Sequence, residues 1–169
     1  KLMISSQIGD SPVYRSLLER DLDGCLIAGT SAGAAAMPDT MIIGGPGDES
    51  NRVSTLSMAP GLALIEGVVI DSHFAERGRI GRLIGEVAQN PRNLGLGIDE
   101  GTAILVEGGD QFSVLGSGAV YVLDGTEVSY SSLSEQNADG VVTIYDVKVH
   151  VMGEGERFDL SKRRPCRVR

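Results

Sequence analysis

The chain has 169 residues, 41% of them hydrophobic, and 15 Lys and Arg against 23 Asp and Glu give a formal net charge of −8. That length suits one domain with a real core, and the composition excludes a disordered chain. The negative balance argues against nucleic acid or an anionic membrane and mildly favours a cationic ligand while also serving solubility, and no apolar run approaches the roughly 18 residues that cross a bilayer.

Lys1 opens the chain without an initiator Met, so the chain is expected to be part of a longer polypeptide. "SPVYRSLLER" (11–20) starts with Ser then Pro, a helix-start signal, and Leu17 and Leu18 supply its apolar side. "GCLIAG" (24–29) reads as a short buried strand and "SAGAAAM" (31–37) as the opening of a helix. The Gly-, Pro-, Ser- and Asp-rich stretch 44–60 is expected to be a loop long enough to serve as a lid. "GVVID" (67–71) predicts a buried strand. A helix is expected over 75–90, with Ile80, Leu83, Ile84 and Val87 on one face and Pro91 ending it. Strands are then expected over 94–99, 102–106, 111–116, 119–124 and 141–151, punctuated by short Gly-containing links. Strands alternating with helices early and a strand-rich end predict one α/β domain over 1–169 with a partly parallel sheet. The first half supplies too few strands for a complete doubly wound sheet, which points to a missing N-terminal portion. The basic tail "SKRRPCRVR" is expected to be a solvated end or an interface contact.

The chemistry centres on Gly29-Thr30-Ser31-Ala32-Gly33, a G-x-S-x-G pattern between a strand and a helix. There a serine takes a strained turn that exposes its hydroxyl, flanking glycines avoid clashes, and the Ala32 N–H can donate to an oxyanion. A tight strand–helix crossing without chemistry would carry the same pattern. Serine needs a base to become a nucleophile, and His73 lies two residues past a predicted strand, where α/β sheets gather functional groups. The other histidine, His150, sits among the valines of a late strand. A base needs an acid to hold its tautomer, and "GLGIDEGTAILV" offers Asp99 or Glu100; on an extended chain only one of two neighbours easily faces the histidine. Asp71, Arg77, Arg79 and Arg82 crowd around His73, and guanidinium groups there could grip a carboxylate or simply solvate a charged helix face. Cys25, in a predicted core strand, and Cys166, near the tail, suggest neither a disulfide framework nor, with two histidines in all, a metal site.

Together, "GTSAGAAAM", "DSHFAERGRIGRL", "GLGIDEGTAILV", "GSGAVYVLD" and "FDLSKRRP" resemble the cyanophycinase family of serine exopeptidases, which is similar to the peptidase E family of aspartyl dipeptidases. The motifs span most of the chain in family order, with 42 residues from Ser31 to His73 and 27 from His73 to Glu100. The resemblance implies a three-layer class I glutamine amidotransferase-like (flavodoxin-like) α/β fold with a largely parallel sheet, incomplete at the N-terminus. It implies a Ser31-His73-Glu100 triad, with Ala32 in the oxyanion hole and Asp71, Ser72, Arg77, Arg79 and Arg82 reading a β-linked aspartyl unit and its arginine. Ser72 stands where the family commonly has glutamine. The implied substrate is cyanophycin, whose poly-aspartate backbone would be cut to β-Asp-Arg dipeptides through an acyl-enzyme. No metal or other cofactor is expected. A homodimer is, together with an N-terminal segment that completes the oxyanion hole and pocket. A cytoplasmic location is expected because the polymer is a storage granule, although a secreted form would look the same. A peptidase E-like dipeptidase would share the triad and differ in the pocket, and a non-catalytic arginine-rich-peptide-binding protein would share only the fold.

Overall fold

A computed structural model describes residues 2–43, 57–135 and 140–166. Helices α1 (Leu2–Ile8) and α2 (Pro12–Leu22) come first. Ser11 caps α2, its hydroxyl accepting the Tyr14 N–H at 3.2 Å, and Pro12 occupies the first turn, where its missing N–H costs nothing. The short helix α3 (Ala32–Ala36) leads to β1 (Thr40–Ile42), which pairs antiparallel with β2 (Met58–Pro60). Thus the end of the expected 44–60 loop is strand, and its residues 44–56 lie outside the described ones.

Next come β3 (Val68–Ser72), helix α4 (Ile80–Gln89), β4 (Leu94–Ile98), β5 (Thr102–Glu107), β6 (Gln111–Gly116) and β7 (Val120–Asp124). The chain continues through β8 (Tyr130–Ser131), β9 (Ile144–Tyr145), β10 (Lys148–Met152), β11 (Arg157–Asp159) and β12 (Arg164–Cys166). One sheet has the order β10-β7-β4-β3 and a second β12-β11-β6-β5. Alternate side chains of β3 and β4 face opposite ways: Ile70, Leu96 and Ile98 meet Phe112, Val114 and Phe158 of the second sheet. On the other face Val69 and Leu123 pack against Leu83 and Val87 of α4 and against Phe74. Buried on both faces, β3 and β4 read as continuous apolar runs.

The fold is α/β with mixed helices and sheets, and its sheets are mostly antiparallel rather than largely parallel. Among the described strands only β3 and β4 pair in parallel, joined by the α4 crossover. A link such as Gly108-Gly109-Asp110, between β5 and β6, is too short for a crossover, and antiparallel pairing follows there.

Four further expectations are corrected. Residues 25–28 form no strand and pair with no described sheet, with Leu26 79% exposed, so the apolar run has the composition of a core strand and no described neighbour to hide it. Cys25 is accordingly exposed. Helix α4 starts at Ile80, because 74–79 fold as turns closed by Arg77 N–H to the His73 carbonyl and Arg79 N–H to the Phe74 carbonyl. The late strand divides into β9 and β10 at Asp146, whose φ of 63° breaks the extension. Part of the basic tail is an anchor: Arg163 donates to Asp124 at 2.8 and 3.1 Å and to the Arg92 carbonyl at 2.9 Å.

Candidate active site

Parallel neighbours end at the same sheet edge, and β3 and β4 run in register from Val68 opposite Leu94 to Ser72 opposite Ile98. The residues just beyond each strand therefore emerge side by side, His73 after β3 and Glu100 in the turn after β4. Helix α3 packs against β3 and brings Ser31 to the same edge. Ser31 has φ 51° and ψ −112°, and His73 has φ 53°, positions that L side chains seldom occupy. Two strained residues facing one another mark the spot. Gly29 makes the serine turn passable, because a Cβ there would lie 2.8 Å from the Gly33 backbone carbon and 3.0 Å from the Ala34 nitrogen. Gly33, also expected to avoid a clash, faces space with nothing within 4 Å.

Ser31 Oγ lies 2.9 Å from His73 Nε2, and His73 Nδ1 lies 2.8 Å from Glu100 Oε1. An ionised carboxylate only accepts, so Nδ1 carries the proton, and Nε2 is left as the acceptor of the serine hydroxyl. The arrangement can draw a proton from Ser31 and hold it on the imidazole. Asp99, the alternative acid, points elsewhere: its carboxylate accepts the Ala75 N–H at 2.9 Å and the Ala119 N–H at 3.2 Å. Glu76 in turn accepts the Glu100 N–H at 3.0 Å. Asp99 and Glu76 thus lace the His73 turn to the Glu100 turn, a role for which nothing in the local pattern is a signal. At the start of α3, the Gly33 N–H goes to the Thr30 carbonyl and the Ala35 N–H to the Ser31 carbonyl.

The five residues expected to read the substrate separate by burial. Arg77 is exposed and Ser72 half-buried, whereas Asp71 is 0%, Arg79 7% and Arg82 6% exposed. Arg82 grips Asp71 with both Nε, at 2.6 Å, and Nη2, and Arg79 Nη1 adds a bond to Asp71 at 3.1 Å. Glu86, one helical turn beyond Arg82, is buried as well, at 1% exposed. Removing one partner from such a buried set costs about 3–5 kcal/mol, because the rest keep their desolvation penalty. No cluster of three or more His, Cys, Asp or Glu that could hold a metal occurs among the described residues, nor does a helix long and apolar enough to cross a membrane.

The chain belongs to peptidase family S51, whose model matches residues 5–114. More particularly, it is similar to proteins named cyanophycinase. That of Trichormus variabilis is 40% identical over 164 residues, covering 96% of this chain and 55% of the relative. That of Geminocystis herdmanii is 32% identical over 166 residues, covering 98% and 61%. The chain thus spans a little over half the length of these relatives. A crystal structure of a peptidase from an acI-B1 Actinobacterium matches with a TM-score of 0.60 at 20% identity, over 89% of this chain and 52% of that one, a likeness of fold.

Proposed function

We propose that this chain carries the catalytic groups of a serine exopeptidase that cuts the poly-aspartate backbone of cyanophycin and releases β-Asp-Arg dipeptides. The observation that carries the reading is the unbroken line from Ser31 Oγ to His73 at 2.9 Å and on to Glu100 at 2.8 Å, in a chain 40% identical to a cyanophycinase. His73 Nε2 takes the Ser31 proton as Oγ attacks the backbone carbonyl beside a β-linked aspartyl unit, and Glu100 stabilises the imidazolium. The Ala32 N–H donates to the oxyanion, a contribution of about 10²–10³ in rate for one such donor. His73 then protonates the leaving amine, and water releases the acyl group by the same route. Arg77, exposed, and Ser72, half-buried beside His73, are the groups that meet the aspartyl unit and its arginine.

The second oxyanion donor and the rest of the pocket come from a segment equivalent to the part of the relatives outside the match. Such a segment has a place to pair. The stretch 25–28 leaves Leu26 79% exposed, Leu22 just before it is 87% exposed, and α2 buries none of its residues. A strand added there would extend the fold toward the class I glutamine amidotransferase-like arrangement. A homodimer completes the proposal. Incubation with insoluble cyanophycin, with soluble products identified by mass, tests the activity. Ser31→Ala should lower β-Asp-Arg release by about 10⁴–10⁶-fold. Release that survives Ser31→Ala would sink the triad, and cleavage of short aspartyl peptides without attack on the polymer would replace the substrate.

A further inference from the structure

We infer that Arg79 is a positioning residue for the His73 base, acting through the backbone on both sides of it rather than by touching substrate. This deepens the triad reading and rests on it. Arg79 Nη1 donates to the Ser72 carbonyl at 2.6 Å, immediately before His73, and the Arg79 backbone N–H donates to the Phe74 carbonyl at 3.1 Å, immediately after it. His73 itself sits at φ 53° between these two held peptides, a conformation that persists only where the surroundings over-determine it. Arg79 is in turn locked, because Nη1 also bonds Asp71 Oδ1, and Asp71 is wholly buried with both its oxygens held by Arg82.

The chain of side-chain constraint runs from Arg82 through Asp71 and the Arg79 guanidinium to the Ser72 peptide, and so to the imidazole, while the Arg79 backbone N–H holds the Phe74 peptide whatever the side chain. Both bonds leave one nitrogen, Nη1, whose two hydrogens are fixed in the guanidinium plane, whereas the hydrogens of a lysine ammonium rotate freely on a flexible stem. At 0–7% exposure Asp71, Arg79 and Arg82 present little surface to a ligand, which favours a positioning role over the expected substrate role.

The test uses Arg79→Lys, which keeps a cation beside Asp71 and so protects the fold, with Arg82→Met as its partner variant. His73 and His150 are the two histidines of the chain, so nitrogen-15 histidine labelling with proton-detected NMR resolves the Nδ1–H held to Glu100. In Arg79→Lys that proton signal should broaden or vanish with the fold retained. Turnover of the polymer should fall about 10–100-fold in kcat with KM unchanged, as expected of a misplaced catalytic group. Arg82→Met, which leaves both peptide contacts of Arg79 in place, should lower the denaturation midpoint yet keep the signal. An intact His73 signal in Arg79→Lys overturns the positioning role, and a rise in KM alone returns Arg79 to substrate binding. Equal loss in both variants reduces the cluster to a folding element. Absence of the signal in the unsubstituted chain removes the triad reading first and this inference with it.

Discussion

Replacing Gly97 with Ala tests how the packing beneath the site holds His73. Gly97 lies in β4 between Asp71 of β3 and Tyr121 of β7, and the Phe74 ring stacks on its bare face. A Cβ there would come within 2.5 Å of Phe74 Cγ and 2.6 Å of both Cδ atoms, where carbon atoms ordinarily stand about 3.5–4.0 Å apart. The ring must retreat by about 1 Å. It has little room, being 2% exposed with the Tyr121 ring centroid 5.0 Å away. Overpacking of this kind costs about 1–3 kcal/mol. Ala fits the backbone at Gly97, which lies outside the left-handed region, so reduced unfolded-state freedom returns about 0.4–1 kcal/mol. The net loss of about 1–2 kcal/mol should lower a urea midpoint by about 0.5–1 M. Phe74 follows His73 directly, so the His73 Nδ1–H signal should weaken in the folded variant as well. Phe74→Leu in the same chain should recover part of the stability by making room. An unchanged midpoint, or a Phe74→Leu loss that simply adds to that of Gly97→Ala, would refute the packing argument.

Two further outcomes follow from the geometry. Burial alone would raise the Asp124 carboxyl, but hydrogen bonds from Arg163 and Thr126 hold it down at about 2 against an ordinary 3.8. Its stabilisation is therefore present above about pH 4 and lost as pH falls toward about 2. Asp124→Asn should cost about 1–2 kcal/mol at neutral pH, allowing for screening of the partly exposed Arg163, with a gap to the parent chain that closes in acid; urea melts showing the same gap at about pH 2.5 and pH 7 would contradict it. Ser31→Gly should abolish turnover while raising stability by about 1 kcal/mol, because glycine takes φ 51° without strain, and thermal melts of the two chains check the sign.

What could be read in advance follows the range of the interactions. Continuous apolar runs locate β3 and β4 because burial on both faces leaves no polar side, and the Leu83–Val87 spacing locates the buried face of α4. Ser31, His73 and Glu100 drew attention through small residues, strand ends and family spacing, and the chain places them within hydrogen-bond reach. The buried ions were not legible. Arg79 and Arg82 read as a solvated face because the partner that draws them inward, Asp71, lies 8 and 11 residues away on a strand. Arg163 reaches Asp124 across 39 residues, so the tail looked merely basic. The run 24–29 misled in the opposite sense, since hydrophobicity reports a wish for burial and not the presence of a neighbour to provide it.

The buried platform and the exposed triad do different electrostatic work. Asp71 lies wholly buried between the Arg79 and Arg82 guanidinium groups. The carboxylate beside the His73 imidazole is that of Glu100, whose side chain is 59% exposed. A unit-charge pair at 4 Å is worth about 1 kcal/mol in water and about 4 kcal/mol at the effective dielectric of a protein surface. The same Glu100 therefore becomes a far better partner once water is displaced from it. In this chain the contacts of Asp71 are set by burial, whereas the strength of the His73–Glu100 pair depends on how far water is displaced from it.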